Sequence, residues 1–472
     1  MDAEGGHTRL KELGYEQRLN RRLSLAGSVA ITMSDITPAG SLLVVGIAVV
    51  AVAGTGSVLA YLAGCVLAVT VAMCMAELGS MYPLAGGLYS IVSRVLGTPA
   101  AFLTLLSYAV QAIFLPASIA LGIGTYLHSL NAAFPVSISA AVAMVLVTGL
   151  AMLRIDTNAL MTGVFLALEM LVIVVVAAAG FSHPTQPLSV FVHPVGLAGG
   201  KLVSFGVGAV VAAVAIAMQS VNGYDAAIAF AEETKGSTRT VGKAVLISCL
   251  LAIVLELSAF LSAAVGAPSL HDFLASDTPL TYVVEQRFGH GAGTAVAIGA
   301  IIAFLNACLA ITLQFARVLW ASGRDGIWPS TVSRALETVL PTTQAPWVAT
   351  LVVGFFAVVL CFASNLVAVV TFVSVLALLL YVFVGVAAIS SRLRDRTSER
   401  PFRMPVWPIW PAVAVAGSIV ALSQQTHQDL LIVVGLYAAG ILYYALYLRP
   451  RSGRLARLAK DDGLRLDGPK VV

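Results

Sequence analysis

The sequence predicts an all-α polytopic membrane protein with twelve transmembrane helices. Three observations carry this reading. Hydrophobic residues make up 59% of the 472-residue chain and charged residues only 11%, against about 25% charged in soluble domains. Apolar runs of about 20 residues, the length that crosses a bilayer as a helix, recur along the whole chain. Lysine and arginine gather in alternate connections between those runs. A porin-type barrel would show short alternating segments instead.

The spans fall at 24–51, 57–79, 100–127, 134–153, 158–181, 203–231, 240–266, 292–320, 346–364, 366–390, 407–424 and 428–448. Several exceed the minimal length, as tilted or interrupted helices do. The polar N-terminus, 1–23, is followed by a full-length span, which predicts no cleavable signal peptide. One face receives Arg9, Lys11, Arg18, Arg21, Arg22, Arg94, Arg154, Lys235, Arg239, Lys243, Arg317, Arg324 and Arg334. It also receives the cluster from Arg392 to Arg403 and the basic tail, 449–472, whereas the other face receives only Lys201 and Arg287. The asymmetry predicts a multi-pass protein of the cell (plasma or inner) membrane with both termini cytoplasmic. The net charge of +4 then reports topology and contact with anionic headgroups of the lipid bilayer, not nucleic acid, for which no motif is present.

Cys65, Cys74, Cys249, Cys308 and Cys361 all lie in apolar segments without metal-ligand spacing, as small buried hydrophobes do. No metal and no cofactor are expected. His128, His183, His193, His271, His290 and His427 fall on the external side and are expected to be solvated loop residues.

Span 1 contains ITMSDITPAG, Ile31 to Gly40. Asp35 lies about 17 Å into the span at 1.5 Å per residue. A charge there costs on the order of 3 kcal/mol, so it faces a cavity or a partner, not lipid. Pro38 removes a backbone donor, and Ser34, Thr37 and Ser41 can satisfy freed backbone groups. The segment reads as two half-helices joined by an unwound stretch at Asp35–Gly40. Span 6 carries a matching interruption in AMQSVNGYDAAIAFAEET, where Gln219, Ser220, Asn222, Gly223 and Asp225 break a long apolar run. Irregular backbone at membrane depth survives only where it is buried in protein or lines water. Two interrupted helices at corresponding places point to a transport site.

Half-helix N-termini present free N–H groups and positive partial charge; C-termini present the reverse. A substrate carboxylate would meet the N–H groups near Ala39, Gly40 and Ser41. A substrate ammonium would meet the carbonyls near Ser34, Asp35 and Ile36 and from Gln219 to Asn222. Asp35 sits at the carbonyl pole and sharpens it for a cation.

Three further stretches, AELGSMYPLAGGLYSIVSRVLG (76–97), GYDAAIAFAEETKGSTRTVGKAVLIS (223–248) and ARVLWASGRDGIWPS (316–330), stand at the ends of spans 2, 6 and 8. In that order they resemble the amino acid–polyamine–organocation transporter family, and the resemblance covers about residues 20–450. It implies a LeuT-like 5+5 inverted repeat: a first repeat at 24–181, a second at 203–390, broken helices 1 and 6, and two extra C-terminal helices at 407–448. It also implies alternating access around spans 1 and 6. Gly223 matches the family's span 6 glycine, Tyr224 an aromatic gate position, and Asp225 an acid tied to gating or protonation. Gln219 stands where some members carry an aromatic lid. The family's glycine-rich break in span 1 is here Pro38, Ala39 and Gly40, and Asp35 replaces an uncharged polar residue.

Glu169 lies in the apolar middle of span 5, about where proton-coupled members of the family place a lysine. Burial favours the neutral form of a carboxyl, which suits a proton carrier; a structural hydrogen bond to span 1 or span 8 is the alternative. Glu256 in span 7 is similar but less well placed. Glu77, Arg94, Arg324 and Asp325 read either as inner-gate ion pairs or as surface pairs that fix loops, and Arg317 as a side chain that snorkels to the inner headgroups.

These residues predict a secondary active transporter, not an enzyme: no nucleophile–base pair or metal cluster is present. The expected substrate is an amino acid or organic amine, with a lean to basic amino acids, polyamines or small amines, and a coupling proton, sodium being the other candidate ion. An amino acid/amine exchanger and a neutral amino acid symporter are the alternatives.

Overall fold

A computed structural model describes residues 13, 19, 21–236, 238–276, 278–363, 366–396 and 398–450. Arg9, Lys11, Arg18 and the tail beyond residue 450 lie outside the described residues. The protein is a bundle of apolar helices. Among the described residues, seven stretches are long and apolar enough to cross a membrane: Leu25–Met81, Thr98–Leu130, Ile155–Phe181, Thr238–Gly266, His290–Arg324, Phe372–Arg394 and His427–Leu448. Shorter apolar helices occupy Val136–Ala151, Val207–Ser220, Trp347–Ala363 and Ile409–Leu422. The first stretch is interrupted at Thr37 and again at a tight turn, Gly54–Gly56. Exposed side chains such as Leu160, Leu171, Phe355 and Leu431 give the bundle an apolar outer surface, suited to lipid.

Helix backbones approach closely where glycine permits it. A Cβ on Gly64 in span 2 would lie 2.9 Å from the Met218 nitrogen in span 6. One on Gly180 in span 5 would lie 2.0 Å from the Ser262 carbonyl oxygen in span 7. Spans 1, 2, 6 and 7 thereby form a tight group, with span 5 locked against span 7 and span 8 against spans 3 and 5.

Span 6 starts later than expected. Residues 203–204 belong to a strand, Lys201–Ser204, paired antiparallel with Val195–Ala198. Gly199 and Gly200 turn between them at φ 57° and 73°, a conformation that favours glycine. The helix itself begins at Val207. The six loop histidines are exposed and the five cysteines are buried and unpaired.

Two charged-residue expectations change. Glu77 takes partners from the connection after span 10: Arg392 Nε at 2.8 Å, Arg400 Nη1 at 2.8 Å and the Met404 N–H at 2.7 Å. Arg94 instead donates to the Leu13 carbonyl. Arg317 does not snorkel. It is buried against Glu233, with Nη2 3.0 Å from Oε1, because a glutamate at the end of span 6 offers a partner inside the bundle.

Candidate functional site

The break in span 1 is narrower than the sequence suggests. Leu25–Ile36 and Pro38–Ala53 are both helical, and only Thr37 leaves the helix, at φ 46° and ψ 72°. Asp35 and Ile36 therefore close the first half-helix, while Ala39 and Gly40 belong to the second. Proline at the first helical position explains the sharp restart: its fixed φ suits that place and it has no N–H to leave unpaired. On the other side, Pro38 cannot bond to the Ser34 carbonyl. Ala39 does not bond to the Asp35 carbonyl because its N–H turns to Glu169 Oε1 at 2.8 Å. The last carbonyls of the first half-helix are thus freed, apart from Ile36, which accepts from Ser41 Oγ at 2.7 Å.

Glu169 reaches in from span 5 and caps the second half-helix. Besides Ala39 it accepts from Thr37 Oγ1 at 2.9 Å, while Asn306 Nδ2 in span 8 approaches its other oxygen at 3.4 Å. Spans 1, 5 and 8 meet at this one carboxyl.

In span 6 the helix Val207–Ser220 stops, residues 221–225 turn, and a single helical turn follows at Ala226–Ala229. Ser220 donates to Glu256 Oε2 at 2.5 Å and accepts from the Tyr61 hydroxyl at 2.7 Å. Gly223 has φ 117°, and a Cβ there would lie 2.8 Å from Asp35 Oδ2 and 2.9 Å from the Ile36 nitrogen. The two breaks therefore touch, and glycine is required at the contact.

A cavity of roughly 750 Å³, counting its open mouth, lies beside this contact. Asp35, Ile36, Gly40, Ser41, Gln219, Asn222, Gly223 and Asp225 line it, with Tyr108 and Gln111 from span 3, Gln314 from span 8 and Tyr381 from span 10. Both Asp35 and Asp225 are carboxylic acids, and among the described residues no lysine, arginine or histidine lines the cavity. Asp225 Oδ2 accepts from the Tyr108 hydroxyl at 2.5 Å and from Gln314 Nε2 at 3.0 Å. Tyr381 donates to Asn222 Oδ1. Asp35 Oδ1, Gln219 Oε1 and Gln111 Nε2 are buried with no hydrogen-bond partner among the described residues.

Of the other expected site residues, Ser34 donates to the Thr162 carbonyl in span 5 at 3.1 Å. Ala39 faces Glu169, and Tyr224 is fully buried in the core. Pro38, Ser220 and Glu169 support the breaks without lining the cavity. Tyr108, Gln111, Gln314 and Tyr381 escaped the sequence reading. The signal was present, because each is a polar residue inside an apolar span, as Asp35 is.

Between the cavity and the arginine-rich end lies a buried polar layer. Arg324 Nη1 contacts both oxygens of Glu232 at 3.1 Å, and Glu232 Oε1 also accepts from the Ala85 N–H at 2.9 Å. Tyr89 donates to Asp325 Oδ2 at 2.7 Å. Arg317 and Glu233 pair one layer closer to the cavity, with Arg317 over the Phe230 ring at 4.9 Å. The Arg22 and Leu23 N–H groups donate to the Glu233 carbonyl at 3.0 and 2.9 Å, and the Lys235 N–H returns to the Leu23 carbonyl at 2.7 Å. The three stretches singled out at the ends of spans 2, 6 and 8 thus converge on one seal. Breaking such a buried pair costs about 3–5 kcal/mol.

A family model described as amino acid permease matches residues 23–442, nearly the whole architecture above. The chain belongs to the amino acid permease family. Members of this family are transporters, not enzymes. The permease is 23% identical to the branched-chain amino acid permease BcaP of Bacillus subtilis over 93% of this chain and 95% of the relative. It is 21% identical to the methylthioribose transporter of the same organism, over 92% and 95%. It is 26% identical to cationic amino acid transporter 4 of Mus musculus over 82% of this chain, which spans 62% of that relative's length.

The contact between the breaks yields a test. Gly223→Ala places a methyl against Asp35 and a strained φ in the same residue, at a cost of about 1–3 kcal/mol. Purified Gly223→Ala permease is expected to unfold at a lower temperature and to lose substrate binding. Wild-type melting and binding would show that the two breaks are not in contact.

Proposed function

We propose that this permease is a secondary active transporter of cationic substrates: basic amino acids, polyamines or small amines. Uptake is coupled to a proton and proceeds by alternating access. The observation that carries the reading is the cavity's charge: among the described residues it has two carboxylic acids, no basic side chain, and an Asp35 Oδ1 without a partner at the carbonyl pole of a broken helix. In a low-dielectric site such a set favours a cation and opposes an anion. The relatives include both a cationic amino acid transporter and a branched-chain amino acid permease, so the charge of this cavity, not the family, supports the choice.

The architecture that goes with this reading is twelve spans in a LeuT-like 5+5 inverted repeat, 24–181 and 203–390, with the helices at 407–448 outside it. The arginine-rich end faces the cytoplasm of a plasma or inner membrane. The buried seal at Glu232, Glu233, Arg317 and Arg324 then acts as the inner gate. In the state described here it is closed. Asp225, bound to spans 3 and 8 through Tyr108 and Gln314, links the cavity floor to that gate.

Glu169 is the coupling residue in this reading. It is fully buried, at the junction of the elements that must move. Among the described residues it has no cationic partner. Asn306 Oδ1 beside it is buried and unpartnered. Turning that amide over presents Oδ1 to a proton on Glu169 Oε2, so the neutral acid is accommodated while Oε1 keeps its two bonds.

Asp35→Asn removes the charge and keeps the shape. It is expected to weaken binding of a cationic ligand at least about tenfold, measured by titration of the detergent-solubilised protein; unchanged affinity removes Asp35 from the site. Glu169→Gln is expected to abolish accumulation driven by a proton gradient in proteoliposomes and to spare counterflow exchange. Intact accumulation makes Glu169 structural.

A further inference from the structure

We infer that the substrate is an organic amine that lacks a carboxylate, because the permease fills the anion-binding pole of its own broken helix with Glu169. The inference rests on the cation reading above and narrows it.

A substrate carboxylate would need free N–H donors at the start of Pro38–Ala53. Pro38 has none. The Ala39 N–H is bound to Glu169 Oε1 at 2.8 Å. The Ser41 N–H is bound to the Thr37 carbonyl at 2.7 Å. The pole that would receive an anion is therefore occupied from the side of span 5, away from the cavity. Neutral or ionised, Glu169 keeps this place, since both short bonds are to Oε1 and a proton can reside on Oε2.

The unmatched groups of the cavity point the same way. Asp35 Oδ1 and Gln219 Oε1 are buried acceptors with no donor among the described residues. An ammonium brings N–H donors and positive charge to this set. The amide donors at this cavity, Gln111 Nε2, which is buried with no partner among the described residues, and the N–H₂ groups of Gln219 and Asn222, are all neutral. A carboxylate placed there would be buried near Asp35 and Asp225 with neutral amide partners and no cationic one among the described residues, which is unfavourable.

The test compares ligands that differ only in the carboxyl group, on the wild-type protein, so that no variant has to fold. Thermal stabilisation and titration are measured with 1,5-diaminopentane, 1-aminopentane, lysine, lysinamide and leucine. The expected result is binding of at least one of the two amines and of lysinamide, with lysine at least about 30-fold weaker than lysinamide. Lysine binding as tightly as lysinamide overturns the inference and leaves the cation reading standing. Binding of leucine without binding of either amine overturns both. No binding by either amine, whatever the other ligands do, also overturns the inference.

Discussion

The break in span 1 depends on one buried carboxyl. A membrane helix can be interrupted only if the backbone groups it frees find partners, because the bilayer core supplies none. Glu169 provides that partner from a neighbouring helix, binding Thr37 and Ala39 on one oxygen. With the Ala39 N–H drawn toward span 5, Asp35 is left lining the cavity. The polarity of the site follows from this division. Span 6 has a parallel arrangement, in which Glu256 from span 7 holds Ser220 at the end of the first half-helix. Each broken helix is thus held by a fully buried acid from another span, Glu169 of span 5 and Glu256 of span 7.

These two breaks are not independent. Gly223 lies directly against Asp35 and Ile36, so movement of one half-helix is felt by the other. Toward the arginine-rich end, Asp225 is bound to Tyr108 and Gln314, and Gln314 stands about one helical turn before Arg317 in span 8. The segment before span 1 joins this layer through Leu23, whose backbone pairs with the segment after span 6. The cavity and the seal share elements: spans 6 and 8 each contribute side chains to both. Such buried polar layers have few alternative arrangements, which suits a device with discrete states.

Much of this was legible in the sequence, for physical reasons. Apolar runs of membrane-spanning length gave the helices, and each run expected to span coincides with helical structure apart from the start of span 6. There, a glycine pair turned the chain into a hairpin that hydropathy does not register. Asp35, Pro38, Gly223 and Asp225 could be found because polar and helix-breaking residues are costly in an apolar span. The exact extent of the break was not legible, since whether Asp35 and Ile36 stay helical depends on Glu169, more than a hundred residues away. For the same reason Glu169 could be located in span 5 but not placed on the Ala39 N–H. Arg317 looked like a snorkelling side chain because its partner, Glu233, is brought to it only by folding.

The most direct test of the account is transport itself. The permease is reconstituted into proteoliposomes, and accumulation of radiolabelled 1,5-diaminopentane is followed under an imposed inward proton gradient. Leucine uptake and protein-free vesicles serve as references. The account predicts amine accumulation that a protonophore abolishes, with leucine at the level of the empty vesicles. Gradient-driven accumulation of leucine without accumulation of the amine would contradict it.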